Sequence, residues 1–385
     1  MRLKNKRIVI YMLLLCVFGF LMIYSASYYS ADIRYGDSFY FVKKQLGGFL
    51  IGLAIFIFAC NFDYHKLYKL RWWIISISIL LLLLVFVPGI GISANGARRW
   101  VGVAGITIQS SEIAKFGFVI FASCYMSKNF NRMKTFVGLL PVIASGGIIC
   151  MLILLEPNLS VTLCVGMVLI CMLFVGGIKA KHFLIILIPA LLLVPVLIIM
   201  EPYRLQRLMA FLNPWANPKE EGFQLIQSLY SLGSGGLFGV GLFNSRQKYL
   251  FLPFSESDFI FSIIGEELGF AGCVVLCVIY ILLIYEGIKI AYFARDRLGG
   301  YLATGVTALI SAQLLINIAV VTGSIPPTGI PLPFISAGGT SLMVFMGAIG
   351  VLCNVGKSKE SSTIFDENNF KRKLFVRKNK NANKI

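Results

Sequence analysis

The feature that most constrains this chain is a succession of long apolar runs, each of roughly the 20 residues needed to cross a bilayer as a helix. Hydrophobic residues make up 58% of the 385 and charged residues only 14%, whereas soluble domains carry about a quarter charged residues. No soluble core could hide this much apolar sequence. Spans fall at roughly 8–27, 45–60, 72–88, 110–127, 136–155, 159–177, 183–200, 259–288, 301–322 and 337–355. The expectation is an all-α polytopic membrane protein, a bundle of about ten transmembrane helices occupying residues 1–355.

The distribution of charge orients the bundle. The net charge is +18, and most of the Lys and Arg lie on one side. They occur before the first span (Arg2, Lys4, Lys6, Arg7), in alternate connections (Lys66, Lys69, Arg71; Lys128, Arg132, Lys134; Lys179, Lys181; Lys289, Arg295, Arg297) and in the tail 356–385. Basic loops stay in the cytoplasm, so both termini are expected there. The tail, polar and rich in Asn and Lys, reads as disordered and as a contact for anionic membrane lipids, not for nucleic acid. The first span follows basic residues without a small-residue cleavage site, which reads as a retained anchor. All nine cysteines lie in or beside apolar spans, so no disulfide framework is implied.

The same orientation puts residues 89–109, the stretch 201–258 and a Pro-rich segment, Gly323 to Ser336, on the outer side. The second is too long for a simple linker. Four prolines exclude regular helix from the third, which reads as a rigid re-entrant turn. Eight carboxylates face outward: Asp32, Asp37, Glu156, Glu201, Glu220, Glu221, Glu256 and Asp258. The two histidines, His65 and His182, fall on the inner side. That excludes an outer Ser–His or Cys–His nucleophile and an outer His/Cys zinc site. Outer chemistry must rest on carboxylates, with or without a hard divalent ion.

Asp258 stands out among them because it immediately precedes an apolar span. It reads either as a helix cap, shared with Ser257, or as a general base for a sugar hydroxyl, which needs proton removal as it attacks. Arg204, Arg207, Arg246 and Lys248 share its loop. They read either as lipid-headgroup contacts or as stabilisers of a pyrophosphate, as headgroup and leaving group. An Mg²⁺ or Mn²⁺ ion on Asp258 is the other way to supply that charge, and no organic cofactor is needed. Glu112 and Lys115, three apart in the fourth span, can pair or line a substrate path. Glu266 lies nearer the Asp258 face of the eighth span, with Glu267 opposite. Gln313 and Asn317 look like interhelical hydrogen-bonding groups.

Four separated segments resemble the FtsW/RodA/SpoVE (SEDS) family in order and spacing: Asn95 to Trp100 with Gln109 to Glu112; Glu156-Pro157-Asn158-Leu159; Asn213-Pro214-Trp215 through Gly269; and Val320-Val321-Thr322-Gly323 through Gly338-Gly339. Gly222-Phe223-Gln224 and Ser245-Arg246-Gln247-Lys248 look more like the FtsW/SpoVE branch. The resemblance implies a peptidoglycan glycosyltransferase of the plasma membrane that polymerises lipid II for cell division or sporulation. Its implied partners are a class B penicillin-binding protein and divisome or sporulation proteins. It places the essential loop aspartate on Asp258, the charged groups of the fourth span on Lys115 and Glu112, and the outer arginine on Arg99. In the resulting scheme Arg246, Lys248 and Arg99 support pyrophosphate while Glu112 and Lys115 line a lipid-facing cavity. The chain departs from the family at Phe254, where Glu is usual, and at Glu256, often His or Gln. The rivals are a lipid II translocase without covalent chemistry, which the intramembrane charges would serve, and a scaffold that only recruits the penicillin-binding protein.

Overall fold

The computed structural model describes residues 3–94, 97–103, 106–200, 202–220 and 222–357. Twelve helices and three short strands follow one another: α1 (Leu3–Tyr35), α2 (Tyr40–Asn61), α3 (Leu67–Leu84), β1 (Gly91–Ala94), β2 (Ala97–Val103), β3 (Ile106–Gln109), α4 (Ser110–Lys128), α5 (Phe136–Leu155), α6 (Leu159–Val175), α7 (Ala180–Ile199), α8 (Pro202–Leu212), α9 (Phe223–Ser234), α10 (Ile260–Tyr292), α11 (Arg297–Val321) and α12 (Gly339–Lys357). The ten long helices coincide with the ten expected spans. Among the described residues, seven helices are long and apolar enough by themselves to cross a membrane. The tail beyond Lys357, with Asn95, Gly96, Glu201 and Glu221, lies outside the described residues.

Helix α11 occupies the middle of the bundle, packed against α4, α6, α10 and α12. Small residues allow the closest approaches. A methyl group on Gly48 would lie 2.8 Å from Gly339 Cα, and one on Gly350 would lie 2.7 Å from Ala59 Cβ, so α2 and α12 pack nearly backbone to backbone. Helix α7 packs mainly against α8 and exposes most of its apolar side chains, as a lipid-facing helix does.

Three features depart from the sequence reading. The expected connection 89–109 is a three-stranded antiparallel sheet in the order β1-β2-β3, with Trp100 opposite Gln109 and Val101 opposite Ile108. The fold is therefore helical with a small β element. The β-branched run Ile106-Thr107-Ile108 was the available signal. The stretch 201–258 is not a plain loop either, because it contains α8 and α9. One face of α9 is buried, and Ser228 Oγ donates to the Val321 carbonyl at 2.7 Å.

The third departure is a break in α10 at Gly269, where φ is +68° and ψ −170°, a conformation essentially confined to glycine. The residues after α9 fill the gap. N–H groups of Val240 and Gly241 donate to the carbonyls of Glu266 and Glu267, and N–H groups of Phe270 and Ala271 donate to those of Gly236 and Leu237, all at 2.9–3.0 Å. A break in a bilayer helix frees backbone groups that must find partners, and these four bonds supply them. The expected single span 259–288 is thus a short buried helix, Ile260 to Leu268, followed by the lipid-crossing segment.

Candidate active site

At the end of the bundle that carries the sheet, four segments converge around a cavity of about 540 Å³ including its open mouth. Its lining comprises Arg99 of β2, Pro157 to Ser160 in the α5–α6 turn, Ile198, Arg204, Arg207 and Leu208 of α7 and α8, and Pro326 to Gly329 of the Pro-rich segment. Three guanidinium groups from two separate stretches of chain, β2 and α8, therefore face one space. Each is anchored on a backbone carbonyl: Arg99 Nε on Glu156 at 3.3 Å, Arg204 on Leu154 at 3.2 Å and Arg207 on Pro327 at 3.1 Å.

Asp258 borders this cavity through Gly329. A Cβ at Gly329 would lie 2.8 Å from Asp258 Oδ2 and 4.0 Å from Arg99 Nη1. The carboxylate and the guanidinium thus face one gap that only glycine leaves open. Asp258 is half-buried, and its carboxylate accepts no hydrogen bond from the described residues. It does not cap α10, whose first turn has no side-chain cap, so the capping reading fails and its carboxylate is left facing the gap. Burial pushes its pKa up to about 6, and Glu256 adds to the rise while Arg99 and Arg207 oppose it. A carboxylate with a pKa just under neutral suits a general base.

The backbone around Asp258 is held from below. Asn317 Nδ2 donates to the carbonyls of Asp258 at 2.9 Å and Ile330 at 2.8 Å. Ser336 Oγ donates to Ser257 at 2.5 Å, and the Ala337 N–H to Glu256 at 2.9 Å. Gln313 Nε2 donates to Pro331 at 2.8 Å, and the buried Tyr280 hydroxyl donates to Pro333. The proline-rich segment is non-helical, as its prolines require, and is tied to α10 and α11 by these side chains. Prolines supply no N–H, and side chains reach in to satisfy the carbonyls at 331 and 333. Gln313 and Asn317 do serve as hydrogen-bonding groups, toward this segment and α4.

The other sequence-selected residues lie elsewhere. Lys248 is sealed, its side chain fully buried in an ion pair with Glu267 at 2.9 Å. It anchors the loop and does not line the cavity. Both Glu266 and Glu267 grip residues 245–248: Arg246 N–H donates to Glu266 Oε1 at 2.9 Å, and Ser245 Oγ donates to Glu266 Oε2 at 2.5 Å. Neither lines the cavity beside Asp258. The Arg246 side chain is exposed and does not line the cavity. Glu112 and Lys115 form an ion pair at 2.6 Å with no side-chain exposure, and Lys115 also donates to Gln313 Oε1 at 2.5 Å. They lie inside the bundle, which corrects the expectation of a lipid-facing cavity wall. Phe254 is exposed with φ +56°, whereas Glu256 is buried beside Asp258. Burial raises the Glu256 pKa, against Arg34 and its own hydrogen bonds.

Sequence reasoning missed the cavity walls of the α5–α6 turn and the glycine gap. Glu156, an outer carboxylate within one of the resembling segments, carries no assigned role in the sequence reading. It is fully buried, and burial pushes its pKa up to about 8, against a hydrogen bond from Ser110 and the charge of Arg99. Among the described residues no cluster of three or more His, Cys, Asp or Glu could hold a metal ion.

The family described as "Cell cycle protein", comprising FtsW, RodA and SpoVE, matches residues 6–361. The chain is 41% identical over 355 residues to stage V sporulation protein E of Bacillus subtilis, covering 91% of this chain and 96% of that protein. It is 39% identical over 342 residues to a probable peptidoglycan glycosyltransferase FtsW of Geobacter metallireducens, covering 89% and 91% respectively. Among solved structures, a chain from a peptidoglycan synthase complex that coordinates polymerization and crosslinking superposes with a TM-score of 0.76 at 26% identity, covering 92% of this chain and 98% of that one. The rod shape determining protein RodA of Thermus thermophilus shares the fold, with a TM-score of 0.67 at 24% identity and coverage of 92% and 97%.

Proposed function

This chain belongs to the FtsW/RodA/SpoVE family of peptidoglycan glycosyltransferases, and we propose that it polymerises lipid II on the outer face of the plasma membrane, with both termini in the cytoplasm. The observation that carries this reading is the placement of Asp258 and Arg99 on either side of one gap, at the edge of a cavity faced by three arginines.

The 4-hydroxyl of an incoming lipid II attacks the anomeric carbon of the growing glycan. Asp258 accepts the hydroxyl proton as the new glycosidic bond forms. The bond from the anomeric carbon to the pyrophosphate oxygen breaks with inversion, and undecaprenyl pyrophosphate departs with the electron pair. Arg99, Arg204 and Arg207 stabilise the leaving charge. A pyrophosphate leaves without a protonating acid, which suits a site with one half-exposed carboxylate among cations. Of the cations expected to serve the pyrophosphate, Arg99, Arg204 and Arg207 line the cavity, whereas Arg246 and Lys248 do not.

An Mg²⁺ or Mn²⁺ ion fits here only with help from substrate. Such ions bind readily through one or two carboxylates plus phosphate oxygens. Asp258 is the residue that would hold the ion, which would add neutralising charge at the pyrophosphate. The translocase alternative loses support, because Glu112, Lys115 and Glu266 are locked in buried pairs and loop contacts instead of lining a path. A class B penicillin-binding protein is the partner we infer, within a division or sporulation assembly. The similarity to a chain from a complex that combines polymerization with crosslinking supports it.

The test is polymer formation from lipid II by the purified full chain with its partner, comparing wild type with Asp258→Ala and Arg207→Ala. Loss of polymer in the first and a severe reduction in the second are expected. Undiminished polymer from Asp258→Ala would reject the catalytic assignment.

A further inference from the structure

The buried charges of α4 do not line the cavity, yet they connect to the site through two sets of hydrogen bonds joined by the Ile330–Pro331 backbone. Glu112 pairs with Lys115 at 2.6 Å, and Lys115 donates to Gln313 Oε1 at 2.5 Å. The other end of the same amide donates to the Pro331 carbonyl at 2.8 Å. One helical turn along α11, Asn317 spends both N–H groups on the carbonyls of Ile330 and Asp258. Lys115, Gln313 and Asn317 are all at most 1% exposed. Residues 330 and 331 are continuous with Gly329, which forms the gap beside the Asp258 carboxylate.

From this geometry we infer that Asn317 and Gln313 are positioning residues for the transfer reaction. They set the separation between Asp258 and the Pro-rich wall of the cavity, and the Glu112–Lys115 pair fixes the rotamer of Gln313. The inference rests on Asp258 being the base. Three physical points support it. Two residues four apart on one helix present their amides on one face, in register with successive carbonyls of an extended segment. Among the described residues no loop or turn N–H donates to the Pro331 carbonyl, whose donor is the Gln313 amide. A primary amide is the side chain that can donate to two carbonyls while lacking charge, as Asn317 does, or donate and accept at opposite edges, as Gln313 does. The α4 ion pair therefore influences chemistry without contacting substrate. A displacement of about 1 Å in such a site can cost on the order of a hundredfold in rate.

The experiment measures kcat and KM for lipid II with the full chain and its partner, for Asn317→Asp, Asn317→Leu, Gln313→Glu, Lys115→Met and the double variant Lys115→Met/Asn317→Asp, beside Asp258→Ala. Asn317→Asp keeps the shape but lacks both donors. It should lose at least about tenfold in kcat with KM within about twofold. Gln313→Glu keeps an acceptor for Lys115 but cannot donate to Pro331, and should fall in the same direction. The double variant should be little worse than its worse parent, because residues in one network do not add independently. Should Asn317→Asp fail to fold, Asn317→Leu and Gln313→Glu carry the same expectation. Wild-type kcat in these variants, a rise in KM with kcat retained, or losses that multiply in the double variant would overturn the inference. Wild-type activity in Asp258→Ala would instead remove the underlying reading, so the two failures are distinguishable.

Discussion

Removing the ammonium group of Lys248 tests the reassignment of that residue from substrate binding to loop anchoring. Lys248 Nζ lies 2.9 Å from Glu267 Oε1, and both side chains are fully buried. At that separation the attraction is about 6 kcal/mol with an effective dielectric constant of about 20. Burying the lysine costs several kcal/mol in return, so the net value of the pair is much smaller. Lys248→Met leaves Glu267 sealed with only the Ser25 hydroxyl and the Ser245 N–H as donors. An uncompensated buried charge of this kind costs about 3–5 kcal/mol. Scaled at about 2 °C per kcal/mol for a large chain, the unfolding midpoint should fall by roughly 6–10 °C. The assay is tryptophan fluorescence on heating the full chain in detergent. Lys248→Met/Glu267→Gln removes both charges while keeping an acceptor for Ser25, and should recover more than half of the loss. A Lys248→Met protein within about 1 °C of wild type, or a double variant less stable than the single, would refute the argument.

Three further outcomes follow from the site and the fold. Polymerisation should rise with pH through about 6 as Asp258 ionises, and a kcat/KM profile flat from pH 5 to 7 would contradict its role as base. Because the folded pKa of Glu156 is raised to about 8, the native state holds a proton that the unfolded chain releases above about 4.3. The group therefore costs stability increasingly between those values and by a constant amount beyond, so Glu156→Gln should gain in unfolding midpoint over wild type as pH rises from 5 to 8 and no further. Gly269→Ala should be severely destabilising, since its Cβ would lie 2.3 Å from Gly239 N at a backbone conformation closed to alanine; normal yield of folded protein would disprove the tight fit.

Much of the site was legible because charge is rare in such a chain. Asp258 drew attention as an acid directly before an apolar span, and Arg204 and Arg207 as cations in the same long stretch. Resemblance added Arg99, which residue types alone would not have ranked above Arg98. Thr328, Gly329 and the α5–α6 turn were not legible as cavity walls, since their importance lies in what they leave open. Lys248 was misread because a lysine flanked by polar residues normally faces water, and nothing local announced that Glu267 would meet it.

Apolar run length sufficed to place the ten long helices, seven of the described ones long and apolar enough to cross a membrane, and the segments that join them, because partition between lipid and water depends on composition summed along the chain. Which carboxylate borders the cavity, which is sealed against a lysine and which amide holds a proline carbonyl were decided only when the chain closed on itself. Those outcomes turn on contacts of a few ångströms between segments distant in sequence, above all the break at Gly269 and the seating of Asn317 beneath Asp258, and no periodicity along the chain encodes them.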